Sequence, residues 1–136
     1  AFFIEKLFLC GYAPVPPHRD IHKTALGATE TVDWEYVASA SEAVKRLKEK
    51  GYLVYGVEQA TGSFHPEDIN IINNRGIAVV FGNEVEGVQQ EILDLCDGII
   101  EIPQRGSKHS LNVSVAAGIV LWECFCIFEQ KNQKAD

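Results

Sequence analysis

The sequence predicts an α/β fold, a three-layer sandwich built on a mostly parallel sheet. Short runs of apolar, β-branched and aromatic residues ("KLFLC", "YLVYGV", "IAVVFG", "GIIEI") alternate with segments of helical pattern. These runs are almost continuously apolar, as suits strands covered on both faces. Turn and cap signals bound most of them. A chain of 136 residues fits one domain with a real core; residues 1–130 are expected to form it, with 131–136 as a flexible tail.

In chain order, "KLFLC" (Lys6 to Cys10) is the first strand, followed by the Pro-rich "PPHRDIHK" loop. Trp34 and Tyr36, flanked by Val32 and Val37, are expected to pack rather than to stack on bases. Ser39-Ala40-Ser41-Glu42 reads as a capping box, with Ser39 as N-cap and Glu42 at the third helical position. The helix "EAVKRLKEK" carries an apolar stripe of Ala43, Val44 and Leu47, and Gly51 should end it. "YLVYGV" and "IAVVFG" are the next strands, and His65 before Pro66 reads as a solvated loop residue. A second amphipathic helix, about Val88 to Leu95, leads into "GIIEI". The last helix, about Asn112 to Phe128, is apolar nearly all round, so its own sheet and a partner subunit should both cover it.

Hydrophobic residues make up 46% and charged residues 23%, an ordinary globular composition. No apolar run is expected to reach membrane length, because Gly118 and Glu123 interrupt the longest one. "AFFIEKLFLCGY" holds an acid within its apolar run and does not resemble a signal peptide. Cys10, Cys96, Cys124 and Cys126 lack metal spacing and read as buried free thiols of a reducing cytoplasm. His18 and His22 lack the Glu of a zinc helix, so no metal is expected. A net charge of −7 argues against nucleic acid as a partner. The local basic stretches "HRDIHK" and "RGSKH" leave the point open.

Ligands of open parallel sheets bind at the carboxyl ends of the strands. Three loops leave those ends: "EQATGS", "NEVEG" and "PQRGSKHS". In "VVFGNEVEG", Gly82 follows a strand and would let a ligand approach the backbone; a plain strand-to-helix turn, with Glu86 near a helix N-terminus, is the other reading. The dinucleotide pattern G-x-G-x-x-G is absent. In the third loop Ile102 and Pro103 end a strand, Gly106 permits a sharp turn, and Ser110 or Asn112 starts the helix. Arg105, Lys108 and His109 crowd the same mouth, where a helix N-terminus suits a carboxylate or phosphate. Lys23 could touch a phosphate or simply be a solvated helix end.

The stretch "FGNEVEGVQQEILDLCDGIIEIPQRGSKHSLNVSVAAGIVLWE" resembles the second and third motifs of the SpoU/TrmH family (SPOUT superfamily) of RNA ribose 2′-O-methyltransferases, and "KTALGA" and "YLVYGV" also fit. The resemblance implies a C-terminal deep trefoil knot, one of the rare exceptions to unknotted connections. It implies S-adenosyl-L-methionine as cofactor, held mainly by backbone groups, with Gly56, Gly82, Asn83, Gly87, Ile102, Pro103, Gly106 and Leu111 at cofactor-binding positions. Glu84, Ser110 and Asn112 fall on the family's polar active-site positions, and Arg105, Lys108, His109 and Lys23 are the candidates for RNA contact. The implied activity is methyl transfer to a ribose 2′-hydroxyl of tRNA or rRNA by a cytoplasmic homodimer joined through the last helix and the knot. The family's first motif, with an essential Arg, should precede "AFF", so the chain is expected to be part of a longer protein. Two alternatives stand beside the enzyme: a catalytically inactive knotted module that binds cofactor or RNA, and a flavodoxin-like nucleotide binder.

Overall fold

The computed structural model describes residues 6–10, 33–70, 72, 75–82, 87–104 and 112–135. Five strands and three α-helices lie among them: β1 (Lys6–Cys10), β2 (Asp33–Val37), α1 (Ala40–Glu49), β3 (Leu53–Val57), β4 (Ile77–Phe81), α2 (Gln90–Leu95), β5 (Gly98–Ile100) and α3 (Val113–Ala135). A 3-10 turn at Pro66–Asp68 precedes β4. The strand pairings among the described residues are parallel. β1 pairs with β2, and β3 lies between β4 and β5.

The capping signals around α1 are realised. Ser39 has extended backbone angles, and its hydroxyl accepts from the Glu42 N–H at 3.4 Å. At the other end Gly51 takes φ +90. The Tyr52 N–H donates to the Leu47 carbonyl, and the Gly51 N–H to that of Lys48, both at 3.0 Å. Together these make a Schellman ending that turns the chain directly into β3.

β3 organises the core because its side chains alternate between two covered faces. Leu53 and Tyr55 point to one face, where they cluster with Ile69, Ile100, Val120 and Cys124. Val54 points to the other, against Val44, Val88, Ile92 and Leu93. α3 thus covers one side of the sheet, and α1 with α2 the other. That is the expected three-layer arrangement. Gly56 belongs to the α2 side: a side chain there would meet Leu93 Cδ2 at 2.7 Å and Cys96 Sγ at 3.6 Å. The small residue lets α2 lie close on the central strand.

α1 also holds the β1–β2 pair. Arg46 donates to both oxygens of Glu35, at 2.6 and 3.4 Å, and its guanidinium lies 5.8 Å from the centre of the Phe8 ring. The Glu35 carboxylate raises the Arg46 pKa, by hydrogen bond first and charge second. β2 itself departs from the sequence reading, which did not make "DWEYV" a strand. Tyr36 keeps 47% of its surface exposed rather than packing fully.

α3 begins at Val113, as expected, but continues to Ala135 instead of ending near Phe128. Glu, Gln, Lys and Ala fill most of its extra length, and all are good helix formers. The expectation that no stretch reaches membrane length also needs correction. Val113–Lys131 is long and apolar enough to cross a membrane by length and composition, despite Gly118 and Glu123. Yet Ala116, Val120 and Cys124 are buried against the protein's own core. The outward face is different: Val115, Ile119 and Trp122 are 50%, 37% and 51% exposed, and Trp122 stacks on Phe125.

Candidate functional site

The carboxyl ends of β3, β4 and β5 lie side by side, since the three strands are parallel neighbours. Each of the three suspected loops therefore leaves the same edge of the sheet. Two carboxylates, neither singled out in the sequence, tie them together.

Glu58 is the first residue after β3. Its N–H donates to the Ile100 carbonyl at 3.1 Å, which joins it to the end of β5. Its Oε2 accepts from the Val88 N–H at 3.0 Å, and its Oε1 from the Gln59 N–H at 3.1 Å. Glu101, the first residue after β5, does the converse. Its Oε1 accepts from the Ala60 N–H and the Ser63 hydroxyl, both at 3.2 Å. The loop after β3 is further pinned by Phe64, which bridges to Ile100 and sets its ring edge-on to Tyr55. Both acids stand where an apolar strand gives way to a loop (Val57-Glu58, Ile100-Glu101), and that was the available signal.

Gly82 and Gly87 bound the loop after β4. A side chain on Gly82 would overlap the backbone of Gly87 and the Val88 nitrogen, so the two ends of the loop lie directly against each other. Gly87 has φ +67, a left-handed conformation suited to glycine, and a side chain there would run into Glu58. The glycine at the strand end therefore serves first the close approach of the chain to itself. Ile102 and Pro103 follow β5 as irregular backbone, with Ile102 half-buried and Pro103 exposed. Their peptide groups lie beyond the strand ladder.

Asn112 marks the mouth of α3. Its Oδ1 accepts from the Ser114 N–H at 2.8 Å, and its carbonyl accepts the first helical bond from Ala116 at 2.9 Å. It is the helix N-cap. Lys23, Asn83, Glu84, Arg105, Gly106, Lys108, His109, Ser110 and Leu111 lie outside the described residues. Of the remaining expected site residues, Gly82, Gly87, Ile102 and Pro103 lie on the loop edge, whereas Gly56 is buried within the sheet beneath Leu93.

Burial pushes the Cys124 thiol up to about 11, with the charge of Glu123 adding to the effect. Burial raises Cys96 as well, followed by the charge of Asp97. Both are poor nucleophiles; Cys124 is buried as expected, whereas Cys96 and Cys126 are free but only half-buried. His65, Glu67 and Asp68 gather on the 3-10 turn, but all three are exposed.

Parallel strands that deliver three loops to one edge define an α/β domain of the open parallel-sheet class, whose members bind ligands at the carboxyl ends of their strands. The sequence profile described as the SpoU rRNA Methylase family matches residues 1–122. The chain belongs to that family. The 23S rRNA (guanosine-2′-O-)-methyltransferase RlmB of Nitrosomonas europaea is 37% identical over 106 residues, covering 77% of this chain and 39% of that protein. The chain thus spans about two fifths of that relative's length. The TrmH/SpoU tRNA modifying enzyme of A. aeolicus superposes with a TM-score of 0.80 and 26% identity, over 96% of this chain and 65% of that one. The SpoU methyltransferase AviRb of Streptomyces viridochromogenes, solved in complex with AdoMet, shares the fold with a TM-score of 0.83 at 21% identity, over 95% of this chain and 52% of its own.

Proposed function

We propose that this chain is the cofactor-binding and catalytic part of an S-adenosylmethionine-dependent methyltransferase acting on a ribose 2′-hydroxyl of tRNA or rRNA in the cytoplasm. The observation that carries the reading is the close approach of Gly82 to Gly87 at the end of β4, on the same edge of the sheet as Ile102 and Pro103 after β5, in a chain of this family. The nature of those groups fits the cofactor. Glycine-bounded turns and irregular backbone present peptide donors and acceptors without side chains in the way, as an adenine edge and ribose hydroxyls require. Gly82, Asn83, Gly87, Ile102, Pro103, Gly106 and Leu111 are the residues that would hold it. Gly56 would contribute indirectly, by seating α2 under these loops.

Methyl transfer is an in-line displacement: the O–C bond forms as the S–C bond breaks, and the hydroxyl proton must leave. When bound, S-adenosylmethionine supplies the activated methyl group. The protein's part is alignment and proton removal. Ser110 and Asn112 would orient the target ribose at the start of α3, and Glu84 would fix the geometry of its loop. Arg105, Lys108, His109 and Lys23 would contact RNA phosphates, which position a substrate without reading its sequence. No step calls for a metal.

The knot belongs to this proposal, with the segment before α3 threaded beside the Gly82 loop. So does a homodimer. The exposed stripe of Val115, Ile119 and Trp122 is an apolar helix face, and a second copy of α3 packed on it would remove that surface from water. Titration with S-adenosylhomocysteine tests the cofactor assignment. Saturable one-to-one binding is expected, and no heat or spectral change at millimolar ligand would refute it.

A further inference from the structure

The Gly87–Val88 end of the loop after β4 is braced by a residue that follows β3. The Val88 N–H donates to the carboxylate of Glu58, just after β3, and the bare Cα of Gly87 faces that same carboxylate. The second oxygen of Glu58 is held by the Gln59 N–H, and its backbone by Ile100. A side chain held at both oxygens, on a backbone tied to the end of β5, thus meets the last peptides of the loop.

We infer that Glu58 is a positioning residue for the cofactor loop, acting through the Gly87–Val88 peptides rather than by touching the ligand. The inference rests on the cofactor reading proposed above. A carboxylate bonded to an N–H is a charge-assisted acceptor, stronger than a neutral one. Removing it would leave the Val88 N–H without its acceptor and free the +67° turn at Gly87 to relax. Glutamine keeps one carbonyl oxygen for Val88, but its amide would meet the Gln59 N–H donor to donor. It should therefore rescue only in part.

The test is titration of S-adenosylhomocysteine into wild type, Glu58→Ala, Glu58→Gln and Glu35→Ala. Thermal unfolding of each variant runs alongside. Glu58→Ala should bind roughly 10-fold or more weakly, Glu58→Gln should fall between it and wild type, and Glu35→Ala should bind as wild type. Glu35→Ala breaks a salt bridge on β2, so it reports what a comparable structural loss does to affinity. If Glu58→Ala binds as tightly as wild type, or if affinity merely follows the melting temperature across all variants, the inference is overturned. A wild-type protein that binds nothing would instead refute the cofactor reading, and the inference with it.

Discussion

Gly82 and Gly87 meet so closely that a single methyl group on Gly82 would overlap the Gly87 carbonyl group. This contact brings the two ends of the loop after β4 directly against each other. The sequence suggests that Gly82 exists to admit a ligand; in the structure its first task is to admit the returning chain.

Gly82→Val should therefore damage the loop itself. An overpacked backbone contact costs about 1–3 kcal/mol, so the variant should lose both melting temperature and affinity for S-adenosylhomocysteine. A variant that binds normally with an unchanged melting temperature would show that the contact is dispensable.

Asn112 has a structural role as N-cap beside its proposed active-site role, and two substitutions separate them. Asn112→Ala removes the acceptor of the Ser114 N–H and should cost about 1 kcal/mol of stability. Asn112→Asp keeps an acceptor there and should retain the melting temperature. If Asn112→Asp nonetheless slows methyl transfer in single-turnover assays, the side chain acts on substrate. Wild-type rates in that variant would reduce Asn112 to a cap.

Trp122→Glu should abolish the proposed dimer. A charge on a residue 51% exposed is tolerated in the monomer, but it would be buried between two copies of α3. Light scattering after size exclusion should read a dimer for wild type and a monomer for the variant. A monomeric wild type would refute the dimer, and a dimeric Trp122→Glu would place its interface elsewhere.

Cys124 should resist alkylation at pH 8 in the folded protein and react quickly once unfolded, because its thiol is held up to about 11. The sign for stability follows. The folded state keeps a proton that the unfolded chain releases above its ordinary value of 9.0. Cys124 thus supports folding below about 9 and loses that contribution as pH rises towards 11. Thermal melts between those pH values should fall less steeply for Cys124→Ala. Equal slopes would show that Cys124 does not contribute.

Much of the fold was legible because it rests on local signals. Four strands announced themselves as apolar runs, and Ser39 and Gly51 marked the ends of α1 within a residue. β2 was hidden because Asp33 and Glu35 interrupt its aromatic residues. What makes Glu35 acceptable there is Arg46, eleven residues away on α1, and such a pairing exists only after folding. The site divides in the same way. Its loops were readable from glycines at or near strand ends, but the braces from Glu58 to Val88 and from Glu101 to Ala60 and Ser63 span 30, 41 and 38 residues. No periodicity reports a contact of that kind. The length of α3 was missed for a different reason, since a polar C-terminal segment reads equally as tail or as exposed helix.

The most direct test of the central claim is to incubate the whole protein that carries this chain with methyl-labelled S-adenosylmethionine and total RNA, then digest the RNA to nucleosides. Label is expected in a 2′-O-methylated ribose, at one nucleotide of one RNA class, with loss of label when Asn112 is replaced by Ala. Label confined to a base, or to protein, would contradict it, as would an absence of transfer by a protein that binds S-adenosylhomocysteine normally.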